Sequence, residues 1–150
     1  MSDGIKLCRC KVDDIPAIVK LSSDLSEEGL VNALKEEELQ EAVTGAYIIV
    51  AKIKAAGEIV GFAVSSYSWG KLHIEEIGVR RDMRAKGIGK KILADLVRHA
   101  KKKNLPEVYC EIKEKNIPSL KLFSGFGFKQ RLHVDLGADA FYGLYLPLEI

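Results

Sequence analysis

The residues with the clearest chemical potential form a short basic stretch with two glycines, Arg84-Ala85-Lys86-Gly87-Ile88-Gly89-Lys90. It follows the strand-like run 72–79 and precedes a long pattern with helical spacing. Backbone N–H groups at a helix start attract an anion, the helix dipole favours negative charge there, and glycine lets the backbone approach a ligand. The stretch predicts a pyrophosphate site, and helix-start packing is the alternative explanation for the glycines alone.

Two common phosphate-binding motifs do not match this stretch. A Walker loop requires Gly-x-x-x-x-Gly-Lys-Ser/Thr, and the residues ending at Lys90 lack both that spacing and the hydroxyl that binds magnesium. A dinucleotide fingerprint requires a further glycine where this chain has Ile92, and the hairpin-like strands before the loop argue against a Rossmann order.

The remaining pattern indicates the elements that position the loop. Alternation and turn residues predict seven strands, with a bulge at Gly61: Ile5–Cys10, Tyr47–Ile53, Ile59–Tyr67, Leu72–Val79, Glu107–Ile112, Lys129–Asp135 and Ala140–Leu146. Helical spacing predicts four helices: one capped by Asp13 or Asp14 that ends before a loop at Ser22–Gly29, then Val31–Val43, Gly87–Lys103 and a short one from Asn116 through Phe123. The order β-α-α-β-β-β-α-β-α-β-β predicts a mixed sheet covered by helices, in a single domain over 1–150.

A second motif follows the loop in order, Asn116-x2-Ser119-x2-Leu122-Phe123-x3-Gly127-Phe128. Together with Val79-x4-Arg84-x2-Gly87-x-Gly89 it resembles the GCN5-related N-acetyltransferase (GNAT) family. The resemblance covers the whole element order and is sharpest over residues 74–128. It implies an α/β (α+β mixed) fold, with a central, mostly antiparallel sheet of about seven strands flanked by about four helices. It also implies an enzyme that uses acetyl-CoA as co-substrate and no metal.

The resemblance assigns roles to particular residues. It implies that residues 84–90 bind the pyrophosphate. Arg84 and Lys86 would provide positive charge, and the N–H groups of residues 85 to 90 would provide hydrogen-bond donors. The pantetheine arm pairs with the strand backbone before the loop, and the later helix adds further contacts. These remaining cofactor-binding predictions are Ile77, Gly78, Val79, Asn116, Ser119 and Phe123.

Transfer of an acetyl group to an amine requires a base, because an ammonium with a pKa of about 10.4 must first lose a proton. Glu75 ranks first, since strand alternation places it on the same face as His73 and Val79, and family members carry their base at the positions of Glu75 or His73. Glu111 ranks second and matches a glutamate of the branch that acetylates protein N-termini. His73 ranks third, and Glu76 is predicted to point to the opposite face.

Phe123 departs from the family pattern, which often has a tyrosine that protonates the leaving thiolate at this position. Phenylalanine donates no proton, so the acid is dispensable, is water, or is another residue such as Tyr142 or Tyr145. This departure motivates a second hypothesis, a non-catalytic acyl-CoA-binding or sensing module of the same fold.

Charge is segregated along the chain. Residues 13–44 contain nine acidic and two basic residues, whereas residues 80–103 contain ten basic and two acidic ones. This distribution fits an anionic cofactor and a cationic acceptor that attacks directly in a ternary complex: a polyamine, a lysine-like amine, a protein lysine or an N-terminus. Nucleic-acid binding is the distant alternative, because the basic segment has few interleaved aromatic residues.

Other expected partners and the location follow from composition. No apolar run approaches the roughly 20 residues needed to span a bilayer, so no membrane partner is expected. The three cysteines have neither framework nor zinc-site spacing, and reduced thiols suit a cytoplasmic protein. The N-terminus shows no leader pattern, and a homodimer stays an open alternative to a monomer.

Overall fold

The computed structural model describes residues 4–149, so the ends of the predicted 1–150 domain, residues 1–3 and 150, lie outside the described residues. The strands are β1 Ile5–Arg9, β2 Tyr47–Ile53, β3 Ile59–Ser68, β4 Lys71–Val79, β5 Glu107–Lys113, β6 Lys129–Val134 and β7 Phe141–Pro147. The helices are α1 Ile15–Glu27, α2 Glu36–Ala42, α3 Ile88–Lys102 and α4 Ile117–Phe126. The predicted order of elements is confirmed.

The strands form one seven-stranded sheet in the order β1-β2-β3-β4-β5-β7-β6. Every neighbouring pair is antiparallel except β4 and β5, which confirms the predicted mixed, mostly antiparallel sheet. The parallel pairing is short: it joins Leu72–Ile74 to Val108–Cys110 and ends there. Beyond Ile74 the two strands diverge and leave an opening in the sheet.

The helices cover the sheet on two faces. On one face α3 buries an apolar stripe that includes Ile92, Leu93 and Leu96. On the other face α1 and α2 pack on Val50 and Phe62 of the sheet. Each fully buried Leu or Ile side chain contributes about 1.5–3 kcal/mol, so these stripes anchor the elements on either side of the opening.

The predicted loop at Ser22–Gly29 is wrong, because α1 continues to Glu27. Leu21 and Leu25 are both buried and extend the apolar stripe of the helix by one turn. The hydroxyl of Ser22 is buried as well and accepts a hydrogen bond from the Leu34 N–H at 2.9 Å. The polar residues of this turn lie on the exposed side of a helix rather than in a loop.

The predicted helix Val31–Val43 is also too long, since α2 begins only at Glu36. The Leu30–Leu34 segment before it is not helical, and side chains from elsewhere bind its backbone. Asn116 Nδ2 donates to the Leu30 carbonyl at 3.2 Å, and Ser22 accepts from the Leu34 N–H. These long-range bonds replace intrahelical ones, so the segment has no need of helical geometry.

A β-bulge in β4 overturns the predicted strand faces. Val64 of β3 pairs with Glu76 and Ser65 pairs with Ile74, so Glu75 is an inserted residue. One extra residue inverts the alternation beyond it. Ile77 therefore joins the core on the α3 face, and Glu76 takes the opposite face, against α1. The register between β2 and β3 also shifts, because Ala51 pairs with Gly61 but Lys52 pairs with Ile59. This irregularity lies next to Gly61, where a bulge was predicted.

The close approach of α1 to β4 generates a stability prediction. A methyl group added at Gly78 would overlap Leu25 Cδ1 and lie 2.8 Å from Phe62 Cε1, so Gly78→Ala forces α1 away from the sheet. We expect a loss of about 1–3 kcal/mol in the free energy of unfolding, measured by urea denaturation. Gly45→Ala is the matched control, because a methyl there meets nothing within 4 Å and should leave stability nearly unchanged.

Candidate active site

The glycine loop leads directly into α3 and leaves the start of that helix available to an anion. Gly87 is the N-cap residue with φ 83°, and Ala85 also has a positive φ, 61°. No side chain caps the helix, and the first N–H groups of an α-helix have no partner within it. The N–H groups of Ile88, Gly89 and Lys90 are therefore the natural donors to a phosphate oxygen.

The two glycines of the loop are explained by different structural requirements. Gly87 supplies the left-handed conformation, which an L side chain adopts at a cost of about 1–2 kcal/mol. At Gly89 an added methyl would lie 3.1 Å from Leu122 Cδ2, so this glycine permits α3 and α4 to approach closely. Close packing therefore accounts for Gly89, whereas the pyrophosphate site at the turn around Gly87 stays a prediction.

Arg84, predicted to bring charge to the phosphates, is already paired in the structure. Its Nη1 and Nη2 donate to the two carboxylate oxygens of Glu28 at 2.9 and 2.8 Å, and its Nε donates to the Val79 carbonyl at 3.1 Å. This hydrogen bonding from Arg84 lowers the pKa of Glu28. Lys86 and Lys90 bring the remaining positive charge of the loop.

A first cavity, of about 230 Å³, lies between the loop, the end of β4, α4 and the Leu30–Leu34 segment. It brings together most of the residues predicted to bind the cofactor: Ile77, Gly78, Val79, Arg84, Ala85, Gly87, Ile88, Gly89, Lys90, Asn116 and Ser119. Apolar side chains complete its wall, which suits the alkyl and amide groups of a pantetheine arm. We call it the cofactor cavity; Lys86 and Phe123 are not among its lining residues.

Asn116 and Ser119 form the cap of α4. Asn116 Oδ1 accepts from the Ser119 N–H at 3.2 Å, while its Nδ2 donates to the Leu30 carbonyl. The amide of Asn116 therefore joins α4 to the Leu30–Leu34 segment at the border of the cavity. Its predicted contact with the cofactor stays a prediction.

A second cavity, of about 310 Å³, adjoins the first where β4 and β5 diverge. The two cavities share Leu30, Val31, Ile77, Asn116 and Ser119. Its acidic and basic lining residues are four carboxylates and one ammonium: Glu38, Glu75, Glu76, Glu111 and Lys113. The excess of negative charge attracts a cation, and we call this space the acceptor cavity.

Glu76 has the most unusual environment in the acceptor cavity. The residue is only 7% exposed, and its Oε2 atom has no hydrogen-bond partner within residues 4–149. Burial raises its pKa to about 7, and the neighbouring Ser22 hydroxyl acts in the opposite direction. A carboxylate in this range alternates between proton acceptor and donor near neutral pH.

The three predicted base candidates lie near Glu76 but in more open surroundings. Glu75 is exposed at the bulge, and Glu111 accepts a hydrogen bond from the Tyr109 hydroxyl at 3.4 Å. His73 Nε2 lies 4.0 Å from Glu111 Oε1 and lines a third cavity rather than this one. Uniform alternation of side chains along β4 predicts Glu76 on the opposite face, which is why Glu76 ranks below these three in the prediction from sequence. That prediction takes no account of the inserted residue Glu75. The sequence feature that could have drawn attention to Glu76 is the pair of adjacent glutamates, Glu75 and Glu76, in an otherwise apolar strand.

Phe123 lies at the inner end of the acceptor cavity, where it is 1% exposed and packs edge-to-face on Phe128 at 4.9 Å between ring centroids. The alternative acids suggested from sequence lie elsewhere. Tyr142 stacks on His133, and Tyr145 packs beneath the Arg131 guanidinium. In the described part of the chain, no tyrosine lines either the cofactor or the acceptor cavity.

Two other kinds of feature are absent from residues 4–149. No group of three or more His, Cys, Asp or Glu side chains there is arranged to hold a metal ion. None of the helices in that range has the length and apolar character to cross a membrane.

Comparison with known proteins agrees with this geometry. The model of the acetyltransferase (GNAT) family matches residues 16–128. An N-alpha-acetyltransferase of Sulfurisphaera tokodaii is 27% identical over 138 residues, which cover 83% of this chain and 80% of the relative. A streptothricin acetyltransferase of Streptomyces lavendulae is 29% identical over 97% of this chain and 77% of its own. The fold resembles that of Ard1 from Thermoplasma volcanium, with a TM-score of 0.83 at 16% identity over 98% of this chain and 99% of that one.

The pairing of Glu28 with Arg84 generates a binding prediction. Glu28→Gln removes a negative charge beside the loop and frees the guanidinium, so we expect acetyl-CoA to bind about fivefold more tightly at low salt. Isothermal titration at two ionic strengths measures the change. Asp24→Asn, a change at an exposed carboxylate of the same helix, is the control. Weaker binding by Glu28→Gln would instead show that the ion pair acts as a tether.

The buried Glu76 generates a prediction for stability against pH. Its pKa is raised from 4.5 to about 7, so the native state retains the proton over this window and loses stability as the pH rises through it. Glu76→Gln cannot ionise. Its stability relative to the wild type should therefore increase by roughly 3 kcal/mol between pH 4 and pH 8, as measured by denaturant unfolding. Glu75→Gln, at the exposed neighbouring residue, is the matched control.

Proposed function

This chain belongs to the acetyltransferase (GNAT) family, and we propose that it acetylates a primary amine on a positively charged acceptor, with Glu76 as the general base. It is an acetyl-CoA-dependent N-acetyltransferase. The observation that carries the proposal is the buried carboxylate of Glu76, which has no partner at Oε2 among the described residues, in an acidic cavity that adjoins the cofactor cavity.

Acetyl-CoA supplies an acetyl group that is activated as a thioester. The donors for its diphosphate are the N–H groups at the start of α3, with Lys86 and Lys90 as the nearby cations. The pantetheine arm fits the apolar cofactor cavity beside Ile77, Gly78 and Val79. Because β4 has no partner strand beyond Ile74 on the β5 side, backbone groups there are available to a chain of amides.

Glu76 acts on the acceptor before the acyl transfer. An alkyl ammonium has a pKa about three units above neutral pH, so only a small fraction of the amine is free, and a nearby proton acceptor speeds the reaction. The ionised Glu76 takes the proton, and the neutral nitrogen forms the new C–N bond as the C–S bond breaks. The electron pair leaves with sulfur, and the second proton of the amine ends on the thiol.

No tyrosine hydroxyl lines the cavities in the described residues, and the proposal does not require one. A thiol with a pKa of about 8.5 yields a thiolate that leaves without prior protonation. Phe123 then serves as an apolar wall at the inner end of the acceptor cavity, where it excludes water from the reacting groups.

The acidic lining supports a cationic acceptor. Four carboxylates against one lysine give the acceptor cavity a negative potential, which concentrates a polyamine, a lysine-like amine or a protein N-terminus. The two relatives described above act on different amines according to their names, so charge is the property that this cavity itself supports.

The second candidate function is a non-catalytic acyl-CoA sensor, and Phe123 is the observation that favours it. Release of free thiol from acetyl-CoA in the presence of a panel of cationic, neutral and acidic amines separates the two. Turnover with cationic amines supports the transferase. Binding of acetyl-CoA without turnover on any amine supports the sensor.

Substitution of the base gives the decisive measurement. We expect Glu76→Gln to lower kcat by about 100-fold or more, and wild-type kcat/KM to rise with pH through an apparent pKa of about 7. Glu75→Gln and Glu111→Gln are matched controls in the same cavity and should retain activity within about fivefold. A larger loss in either control than in Glu76→Gln would transfer the role of base to that residue.

A further inference from the structure

The buried stripe of α1 contains one polar residue, Ser22. The buried positions of this helix are Ile15, Ile18, Leu21, Ser22 and Leu25. Ser22 is 0% exposed, so its hydroxyl has lost its hydration and needs hydrogen-bond partners within the protein. Alanine has the higher helix propensity and suits apolar surroundings, so neither helix formation nor packing explains a serine at this position.

The packing of α1 on β4 brings Ser22 to Glu76. Leu25 lies directly over Gly78, because a methyl group added at Gly78 would overlap Leu25 Cδ1. Ser22 precedes Leu25 by about 4.5 Å along the helix, and Glu76 precedes Gly78 by about 6.6 Å along the strand. Residues at these spacings share one face of a helix or of a strand. The Ser22 hydroxyl therefore faces the Glu76 carboxylate, and the two side chains hydrogen-bond.

The hydrogen bonds of Ser22 run in one direction. A serine hydroxyl has one hydrogen to donate and two lone pairs that accept. The Leu34 N–H donates to Ser22 Oγ at 2.9 Å, which leaves the hydroxyl hydrogen for the carboxylate of Glu76. Glu76 Oε2 has no partner within residues 4–149, so the oxygen that accepts from Ser22 is Oε1. A hydroxyl that accepts one hydrogen bond donates the next one more strongly.

The other titratable groups near Glu76 do not replace this donor. The charged residues of α1 lie on its exposed side, and Val64 is the apolar partner of Glu76 on β3. Among the described residues, α4 and the Leu30–Leu34 segment add no titratable side chain to the acceptor cavity. Burial raises the pKa of Glu76, and the Ser22 hydrogen bond lowers it. The titratable groups that share the cavity with Glu76 are Glu38 of α2, Glu75 of β4, and Cys110, Glu111 and Lys113 of β5.

We propose that Ser22 is a positioning residue for the acyl transfer: its hydroxyl donates to Glu76 Oε1, orients Oε2 toward the acceptor cavity and stabilises the ionised carboxylate. The proposal rests on the proposed role of Glu76 as the general base. Leu34 itself lines the acceptor cavity, so the same hydroxyl connects the wall of that cavity to the base.

The kinetic test compares Ser22→Ala with the wild type across pH, with acetyl-CoA and either spermidine or lysine amide as the acceptor. Loss of the donor should raise the apparent pKa of the kcat/KM profile from about 7 to about 8. At pH 7 the ionised fraction of Glu76 then falls from about one half to about one tenth, so kcat/KM should fall about fivefold. At pH 9 the loss should shrink to about twofold or less, because Glu76 is ionised in both proteins.

Two further variants support this comparison. Ser23→Ala changes an exposed serine of the same helix and should keep the wild-type profile. Ser22→Cys has nearly the volume of serine but a thiol that donates weakly, so it should shift the profile in the same direction if the alanine variant fails to fold. A wild-type profile in the folded Ser22 variants would overturn the proposal.

A double-mutant cycle separates positioning from a general loosening of α1. The base is absent from Glu76→Gln, so adding Ser22→Ala to that variant should change kcat/KM by less than about twofold. The same loss in both backgrounds would show that Ser22 acts through packing alone, and the positioning role would be wrong.

NMR of the glutamate carboxyl carbons measures the titration of Glu76 without turnover, and Glu76→Gln identifies its signal. The pKa should rise from about 7 in the wild type to about 8 in Ser22→Ala, with no change in Ser23→Ala. An unchanged titration in Ser22→Ala would overturn the proposal even if the enzyme acetylates amines as proposed. A titration that moves while the kinetic profile does not would instead remove Glu76 as the base, and the positioning role with it.

Discussion

The inserted residue in β4 is the constraint on which the site depends. A strand without the bulge would direct Glu76 into the apolar layer under α3 and Ile77 to the opposite face, against α1. The insertion at Glu75 exchanges those directions, so the core on the α3 face stays continuous while a carboxylate enters the space against α1. Shortly before the bulge, β4 and β5 cease to pair, and the same stretch of strand thus opens the cavity and supplies the carboxylate that we propose as the base.

Packing around this stretch maintains an arrangement that is unfavourable for the carboxylate. Ionised Glu76 loses hydration on burial, which is why its pKa rises toward neutrality. The buried stripe of α1 and the missing side chain at Gly78 keep the helix close to the strand. Ser22 then connects α1 to the Leu30–Leu34 segment, which borders both cavities. The proposed role of Glu76 therefore depends on a helix that carries no predicted catalytic residue.

Part of the site was predictable because its signals are local. Gly87 must adopt a positive φ, α3 shows its buried stripe in its own spacing, and Asn116 begins a helix with a side-chain cap. The spacing of the loop and its partner motif together indicated the GNAT family, and the family match confirms it. The misjudged parts depend on distant partners: Leu34 bonds Ser22, and Arg84 bonds Glu28 across 56 residues of sequence.

From residue order alone follow the seven strands and the four helices, since each rests on periodicity. The expectation of acetyl-CoA comes from the resemblance to the GNAT family, which the glycine loop and its partner motif carry. The identity of the proposed base and its position where β4 and β5 diverge required the folded chain. A single inserted residue changes no composition and no spacing, yet it reverses a strand face, and only the register against β3 reveals it. Likewise, Lys71, Tyr109 and Arg131 come from three different strands, and the sheet order alone brings them around one cavity.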